Sequence, residues 1–318
     1  MPDGWELGIE KAQRSALVSV VAVNYNGLHL LKQSLPSIAA QDYPLHEVTI
    51  VDNASIDNSV QYITESFPTY RCLRSKTNLH YTRAMNLGIR ESRGDLLLLI
   101  NNDVVLDPSF VRNMLSAARR HPDVGIFGPK ILFRGTQLIQ YAAGRLYRRE
   151  HEVPSRLHCQ MRYVHWILGA AWMIRRGVLE RIGLLDEENY TGYYDETDFQ
   201  MRALKRGIKM IYVPSALAWH IDSATFLAAS ESYAYHLTRG YVSFGIIHSS
   251  LGDIVVRVVK VLGASAIDIV TGTRSDARRD LLARGRLLAL LRSLEKLPLT
   301  LKRRIQLRQA LMRERGCN

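Results

Sequence analysis

Residues 96–103, LLLLINND, are a fully apolar run that stops at two amides and a carboxylate. A short continuous apolar run is typical of a strand that is buried on both faces of a parallel sheet. Ligands of such sheets bind outside the carboxyl ends of the strands. We therefore expect Asn101, Asn102 and Asp103 to lie beside a polar ligand at the end of this strand.

The overall composition is that of a globular protein of 318 residues, 47% hydrophobic and 23% charged. This length accommodates one large α/β domain with an appendage, or two ordinary domains. The three cysteines, Cys72, Cys159 and Cys317, are widely separated, which argues against a disulfide framework or a structural zinc site and favours a reducing, cytoplasmic setting. Residues 1–15 include acidic side chains and lack an apolar core, so no signal peptide is expected.

Strand and helix patterns alternate along roughly the first two thirds of the chain, which predicts a doubly wound α/β domain. We expect a short N-terminal extension over residues 1–16, this domain over 17–228 and a basic helical region over 229–318. A helix is predicted to begin at Pro108 with Asp107 as its cap. A late strand, Met210–Val213, is predicted to stop at Pro214.

The C-terminal region has helical periodicity only. Leu251, Val255 and Leu262 recur at helical spacing, with Arg257 and Lys260 on the opposite side, which indicates an amphipathic and not a transmembrane helix. Residues 272–318 carry 13 Lys or Arg against 4 Asp or Glu, a net +9 out of +12 for the chain. This charge suits a peripheral position on an anionic membrane surface.

Other interpretations of these helices remain open at this point. They can present a solvated basic surface, or pack on the main domain or on a second copy of the chain in a homo-oligomer. Nucleic acid is not expected as a partner, because the region shows no aromatic interleaving and no recognisable nucleic-acid module.

Polar clusters follow the first two predicted strands. Asn24-Tyr25-Asn26-Gly27 permits a tight turn and a close approach of the backbone to a ligand. Asp52 falls at the end of an apolar strand, where a carboxylate can accept the ring N–H of uracil, thymine or guanine. Asp57 follows it, and we interpret Asp57 mainly as a helix cap.

The remaining clusters suggest metal and acid–base chemistry. Asp103 offers hard oxygen ligands for a magnesium or manganese ion that bridges a diphosphate, and it is otherwise a turn residue. His220 follows an apolar segment and can complete this site as a neutral imidazole, although a lone histidine is more often structural. Asp195 and Glu196 occupy a first helical turn, where acids favour the helix dipole and can also act as a general base.

Taken together, these segments resemble the inverting family 2 glycosyltransferases with a GT-A fold, especially the bacterial rhamnosyltransferase-like branch. The resemblance extends over Val18–Ser223 and is carried in order by VSVVAVNYNG, VDNASIDNS, NLHYTRAMNLGI, GDLLLLINNDVV, GAAWMIRRGVLERIGLLDE, YYDETDFQMRALKRG and WHIDS. It implies a Rossmann-like mixed sheet with helices on both faces, followed by amphipathic C-terminal helices. It also implies a nucleotide-diphospho-sugar donor, with dTDP or UDP favoured, and Mg²⁺ or Mn²⁺ as cofactor.

On the nucleotide side, the resemblance implies that Asp52 binds the base and that Asn53 lies beside it. Asn24 and Asn26 occupy the turn that lines the nucleotide.

The resemblance assigns further donor-site roles to the next two segments. Asn78 and Asn86 match the amides that flank the donor-site helix, on which Arg83 also lies. Asn102 and Asp103 stand at the metal-binding Asp-x-Asp equivalent.

The acid pair Asp195-Glu196 stands where the family has Glu-Asp, whose second member is the catalytic base, which indicates Glu196. The inverted order leaves Asp195 as the base if Glu196 instead contacts a sugar hydroxyl. A second departure is His80, which replaces a glycine common in the family and leaves the donor open.

The function implied is metal-dependent, inverting transfer of a hexosyl or deoxyhexosyl group such as rhamnose. The acceptor would be a hydroxyl of a glycan or lipid-linked molecule, at the inner face of the cell membrane, in cell-surface polysaccharide or glycolipid synthesis. One alternative is a sugar nucleotidyltransferase, which usually has a glycine-rich, basic loop where this chain has NYNG. The other is a non-catalytic membrane- or nucleic-acid-binding protein.

Overall fold

The computed structural model describes residues 16–142, 158–221, 230–271 and 277–314. The predicted N-terminal extension, apart from residue 16, and the predicted boundary after residue 228 lie outside these ranges. Strands and helices alternate in the first part as expected: β1 (Val18–Asn24), α1 (Leu28–Ala39), β2 (Glu47–Asp52), α2 (Ser59–Ser66), β3 (Arg71–Arg74), α3 (His80–Glu91) and β4 (Leu96–Asn101).

The second part of the chain contains both longer strands and a series of helices. The strands and helices are β5 (Val104–Leu106), α4 (Phe110–Arg120), β6 (Val124–Phe133), β7 (Ile139–Tyr141), β8 (Arg162–Val164), β9 (Ala171–Arg175), α5 (Arg176–Ile182), α6 (Asp195–Lys205) and β10 (Lys209–His220). Helices α7 (Glu231–His248), α8 (Leu251–Thr271), α9 (Ala277–Glu295) and α10 (Leu297–Glu314) follow.

The strands form one mixed sheet in the order β3-β2-β1-β4-β9-β6-β10-β5, with β7 beside β6 and β8 beside β10. Strands β1, β2, β3 and β4 are mutually parallel where they pair, whereas β9 is antiparallel to both β4 and β6. The predicted α/β class with a mixed sheet is therefore confirmed. Since β1, β2 and β4 share a direction, their carboxyl ends, Asn24, Asp52 and Asn101, meet at one edge.

The strand predicted to stop at Pro214 does not stop there, so that prediction was wrong. β10 passes through Pro214 by a register shift between Val213 and Leu217 in its pairing with β6. Such an irregularity removes the need for a hydrogen bond from the proline nitrogen. The continuation pairs His220 with Val104 of β5, and this places His220 beside the acidic turn after β4.

The predicted helix start at Pro108 was also wrong. The helix begins at Phe110, and Asp107 Oδ1 accepts hydrogen bonds from the backbone N–H of Ser109 at 2.9 Å and from its hydroxyl at 2.6 Å. Asp107 therefore stabilises the turn before the helix and does not cap the first helical residue.

Helix α3 lies unusually close to the sheet at Gly88. A methyl group on Gly88 would collide with the side chain of Val21 and lie 3.0 Å from Cγ2 of Val51. The glycine, which weakens the helix by itself, is thus required by the close packing of helix on sheet. This packing sets the distance between α3 and the strands. It thereby also positions the cavity wall at the N-terminus of α3.

A buried ionic cluster joins the α/β domain to the C-terminal helices. The Asp198 carboxylate accepts hydrogen bonds from Arg202 Nε at 2.8 Å and from His248 Nε2 at 2.7 Å. Arg202 and His248 together hold the pKa of Asp198 well below its usual range in spite of burial. Because α6 carries Asp198 and α7 ends in His248, the two helices are held together by charge-assisted hydrogen bonds.

Helix α8 leaves part of its apolar side exposed, while Val261 of the same side is buried. Arg257 is buried, with its guanidinium carbon 4.2 Å from the centroid of the Tyr241 ring, whereas Leu251, Val255 and Leu262 are exposed. Within the described ranges, no helix is both long and apolar enough to cross a membrane. The amphipathic pattern was correctly predicted, and the structure adds that its polar side contains the inward-facing arginine.

Substitution of Gly88 by alanine should destabilise the protein, although alanine is the better helix former. Overpacking against β1 and β2 costs about 1–3 kcal/mol, which outweighs the roughly 1 kcal/mol gained in helix propensity. Gly177 of α5 is the matched control, since a methyl group there meets no atom within 4 Å. Thermal unfolding of Gly88→Ala and Gly177→Ala should move in opposite directions; equal shifts would contradict the packing argument.

Candidate active site

A cavity of about 550 Å³ opens at the carboxyl edge of the parallel strands. Its lining combines residues from the turns after β1, β2 and β4 with residues from α3, β9, α6, the end of β10 and the start of α7. The predicted site residues among them are Asn53, Asn78, Asn102, Asp103, Asp195, Glu196 and His220.

The floor beneath this cavity is a network of buried amides and one carboxylate. Asn24 Oδ1 accepts from Asn102 Nδ2 at 3.0 Å, and Asn24 Nδ2 donates to Asp52 Oδ1 at 3.3 Å. The second oxygen of Asp52 accepts from the backbone N–H of Ser55 at 3.1 Å. A side chain on Gly27 would collide with Asn102, so only glycine leaves room for this network. Asn24 and Asp52 therefore lie below the cavity lining, with their polar atoms engaged in the floor.

The turns around this floor are bonded to one another. The backbone N–H of Asn26 donates to Ser55 Oγ at 2.9 Å, and Asn26 Oδ1 accepts from the backbone N–H of Ile56 at 2.8 Å. Asp57 accepts from the first N–H of α1, that of Leu28, at 2.9 Å. Asp57 thus caps the helix after β1, which the sequence did not predict. In the helix that follows it, α2, the N-cap residue is Asn58, and Asp57 accepts from the N–H of Ser59 at 3.1 Å.

Asn53 and Asn78 form the rim of the cavity above Asp52. Asn53 Nδ2 donates to Asn78 Oδ1 at 2.9 Å, and Asn53 Oδ1 accepts from the backbone N–H of Leu79 at 2.7 Å. Tyr25 lies in the same part of the lining and is 39% exposed. This corner presents an aromatic face and amide groups, which suit a planar base.

Two other predicted residues lie behind the cavity. Asn86 is buried and donates to the Leu185 carbonyl at 2.9 Å and to Glu187 Oε2 at 2.7 Å. Arg83 contacts Glu188, its NH2 lying 3.2 Å from Oε1. Both side chains tie α3 to the segment that leads into α6, so they support the site from outside its lining.

Asp103 and His220 form a two-residue donor set on the opposite wall. His220 Nδ1 lies 2.8 Å from Gln140 Oε1, and this contact orients the ring. His220 Nε2 faces Asp103 Oδ1, 3.3 Å away. Asp103 Oδ1 is buried and has no hydrogen-bond partner. An imidazole nitrogen and an unsatisfied carboxylate oxygen that face each other at this spacing fit a hard or borderline divalent ion.

Asp103 and His220 have no third protein ligand among the residues that the structure describes. Across the described residues, no group of three His, Cys, Asp or Glu side chains is arranged to hold a metal. Mg²⁺ and Mn²⁺ at nucleotide sites commonly take one or two protein ligands and complete their shell with phosphate oxygens and water. The donor set therefore matches an ion that is shared with a diphosphate.

The acid pair lies at the start of α6, directly after Tyr193 and Tyr194, whose φ angles are 61° and 66°. This left-handed turn directs Asp195 and Glu196 into the cavity. Glu196 packs on Gly169, where an added methyl carbon would lie 2.8 Å from Glu196 Cγ.

Burial sets the protonation of the two acids. It raises the pKa of Asp195 well above its usual range, and the charge of Glu196 adds to this rise. Burial also raises the pKa of Glu196, while a hydrogen bond from Asp195 opposes the rise. Burial therefore favours the neutral form of both acids, and the charge of one carboxylate disfavours ionisation of the other.

Several lining residues were not identified from the sequence. They are Tyr81, whose hydroxyl donates to Asn101 Oδ1 at 2.8 Å, and Thr191, Ser230, Ser232 and His236. The last three lie on or beside α7, beyond the predicted end of the catalytic domain. The sequence signal for this wall was His80, which stands where the family commonly has glycine, and in the structure its φ is 61°.

The chain belongs to glycosyl transferase family 2, whose sequence pattern matches residues 19–183, more than half of its length. This assignment decides between the alternatives left by the sequence in favour of glycosyl transfer. A curated relative, the N-acetylglucosaminyl-diphospho-decaprenol L-rhamnosyltransferase of Mycobacterium tuberculosis, is 28% identical over 264 residues, which cover 69% of this chain and 83% of the relative. The rhamnosyltransferase-like resemblance is thereby confirmed.

Solved structures show the same fold. The mannosyltransferase PcManGT of Pyrobaculum calidifontis, in complex with GDP-Man and Mn²⁺, has a TM-score of 0.56 at 19% identity, covering 94% of this chain and 87% of that one. TarS 1-349 of S. aureus, in complex with UDP-GlcNAc, has a TM-score of 0.57 at 15% identity, covering 88% and 92%. These are GT-A glycosyltransferases, and the predicted fold class is confirmed.

Proposed function

We propose that the protein is an inverting, divalent-cation-dependent glycosyltransferase that moves rhamnose from a dTDP- or UDP-linked donor to a hydroxyl of a glycan or lipid-linked acceptor. The observation that carries this proposal is the juxtaposition, in one cavity, of the Asp103–His220 pair and the Asp195–Glu196 pair. The name of the M. tuberculosis relative supports rhamnose as the sugar and a lipid-linked acceptor, in cell-surface polysaccharide or glycolipid synthesis.

The position of the donor is supported by two features of the cavity, the Tyr25–Asn53 corner and the Asp103–His220 pair. Its base would lie at Tyr25 and Asn53, above the buried Asp52, whose proposed role in base recognition is to orient this corner from below. Its diphosphate would lie beside Asn102 and Asp103. A divalent cation bound by Asp103 and His220 would neutralise the diphosphate and make it a better leaving group.

Glu196 would act as the general base in a single displacement. It accepts the proton of the acceptor hydroxyl while that oxygen forms a bond to the anomeric carbon and the bond from this carbon to the diphosphate oxygen breaks. Attack from the face opposite the diphosphate inverts the anomeric configuration. In this scheme Asp195 would hold the proton that the pair shares, donate a hydrogen bond to Glu196 and orient it.

We place the protein at the inner face of the cell membrane through α8. Leu251, Val255, Val259 and Leu262 expose one continuous apolar stripe, with the basic residues of α9 and α10 nearby in the chain. An exposed apolar stripe beside positive charge suits the interface of an anionic bilayer. A lipid-linked acceptor would be met there.

Replacement of Glu196 by glutamine should lower kcat by about 10²–10⁴-fold, because the variant cannot accept a proton. Asp195→Asn retains a hydrogen-bond donor, so it should lower kcat by a smaller factor than Glu196→Gln does. Glu180→Gln, on the exposed side of α5, is the control. Transfer from radiolabelled dTDP-rhamnose measures the effect, and the reverse ranking would make Asp195 the base.

The pH profile of wild-type transfer follows from the same pair. Burial raises the pKa of Glu196, so the base is lost as pH falls through a value above the ordinary 4.5. We expect the acid limb of kcat/KM to lie above that pH and to disappear from the residual activity of Glu196→Gln.

The cation site can be tested by thermal unfolding with UDP or dTDP, with and without Mn²⁺. Manganese should add stability to the nucleotide complex of the wild type, and this gain should vanish in Asp103→Asn and His220→Asn. Asp42→Asn, at the surface, is the control. If manganese stabilised the nucleotide complex of Asp103→Asn as much as that of the wild type, Asp103 would not be a metal ligand.

Membrane contact can be tested by co-sedimentation with phosphatidylcholine vesicles that do or do not contain phosphatidylglycerol. Burial of each valine contributes about 1.5 kcal/mol, so Val255→Glu with Val259→Glu should weaken binding by about a hundredfold. Ile56→Glu makes the same change at an exposed site in the α/β domain and should bind as the wild type does. Equal sedimentation of all three proteins would remove α8 as the contact.

A further inference from the structure

One wall of the cavity contains two histidines from well-separated segments of the chain. His80 begins α3 and His236 lies on α7, with ring centroids 5.4 Å apart and ring planes inclined at 57°. Both line the cavity that contains Asp195 and Glu196, and Ser230 and Ser232 extend the same wall. His236 lies outside residues 19–183, the part of the chain that matches the family.

His80 is held in a strained backbone conformation. Its φ is 61°, in the left-handed region, which is unfavourable by about 1–2 kcal/mol for a residue with a side chain. The Asn78 side chain supports this turn by accepting from the backbone N–H of His80 at 2.8 Å. Strain of this kind accumulates at binding sites, where a side chain is needed in a given place. The ring of His80 is exposed at the mouth of the cavity.

His236 is buried behind His80 and fixed by Thr191, whose Oγ1 lies 2.7 Å from His236 Nδ1. Burial, with the charges of His80 and Arg239, lowers the pKa of His236 to about 4. Burial and the charges of Arg239 and Arg83 also lower the pKa of His80. Near pH 7 both rings are therefore neutral, and the imidazoles offer hydrogen bonds and apolar faces. The positive charge beside them belongs to the buried Arg239, which donates to Thr191 Oγ1 at 3.4 Å and to the Glu188 carbonyl at 3.2 Å and is not part of the cavity lining.

This chemistry selects among the groups that could occupy the wall. A phosphate would favour cationic side chains that face the cavity, whereas Arg239 lies outside the lining and is bonded to the protein, and the Asp103–His220 wall already provides for a diphosphate. A sugar ring presents hydroxyl groups and apolar C–H faces, which neutral imidazole and serine and threonine hydroxyls complement. In an inverting displacement the acceptor approaches the side of the anomeric carbon away from the diphosphate, next to the base.

We propose that His80 and His236, with Thr191, Ser230 and Ser232, form the subsite that binds the sugar ring of the acceptor. The proposal rests on the glycosyl transfer proposed above and assigns the acceptor a neutral, hydroxyl-bearing ring at the reacting end. It also makes α7 of the C-terminal region a determinant of acceptor choice.

Saturation-transfer NMR tests the subsite without requiring turnover. Full-length protein loaded with UDP or dTDP and Mg²⁺ is titrated with methyl glycosides of N-acetylglucosamine, rhamnose, mannose and galactose. The wild type should bind at least one of them. His80→Gly and His236→Asn should each weaken that binding by about tenfold, the effect of one lost hydrogen bond at this site, while nucleotide affinity stays unchanged.

The choice of variants separates binding from folding. His80→Gly removes the ring and relieves the left-handed strain, so its melting temperature should not fall. His236→Asn keeps a group able to bond Thr191. His29→Asn, on the exposed side of α1, controls for the loss of a histidine. Because the rings face each other, the double variant should lose less than the product of the single effects.

Each outcome decides the proposal. Weakened glycoside binding with intact nucleotide binding supports it. Unchanged glycoside binding in both variants, or no glycoside bound by the wild type, overturns it. Parallel loss of nucleotide and glycoside would assign the histidines to the donor and also overturn it. Failure of the proposed transfer itself is recognised separately, by wild-type protein that does not turn over dTDP-rhamnose.

Discussion

The site depends on one constraint, which is that polar groups removed from water must find partners inside the protein. Asn24, Asp52 and Asn102 satisfy this requirement through one another across three strand ends. Since each amide and carboxylate has few bonding directions, the turns that carry them cannot shift independently. This network also fixes the positions of Asn53 and Asp103, because Asn53 follows Asp52 in the sequence and Asp103 follows Asn102.

The fold and much of the site could be predicted because the signals are local. Apolar runs that end in Asn24, Asp52 and Asn101 indicate buried parallel strands and the edge at which a ligand binds. The path of β10 beyond Pro214 could not be predicted, because a proline stops a regular ladder and only the pairing partner shows that a register shift accommodates it.

Other features of the site arise only when distant segments meet. Gln140 determines which nitrogen of His220 faces Asp103, and no sequence pattern links these three residues. The burial of Arg257 is similar: periodicity shows that α8 has two sides, whereas the Tyr241 ring determines which side faces inward. His236 reaches the cavity from a helix that the sequence places in a separate region.

The buried contact of Asp198 with Arg202 and His248 constrains how this enzyme can diversify. A carboxylate with no access to water tolerates the loss of a cationic or hydrogen-bonding partner poorly, and here one partner belongs to each half of the chain. If recombination between relatives exchanged only the C-terminal helices, the new helices would have to supply a hydrogen-bond donor for Asp198 in place of His248. The two halves are therefore expected to be inherited together, and new acceptor preferences to arise by point substitution within α7.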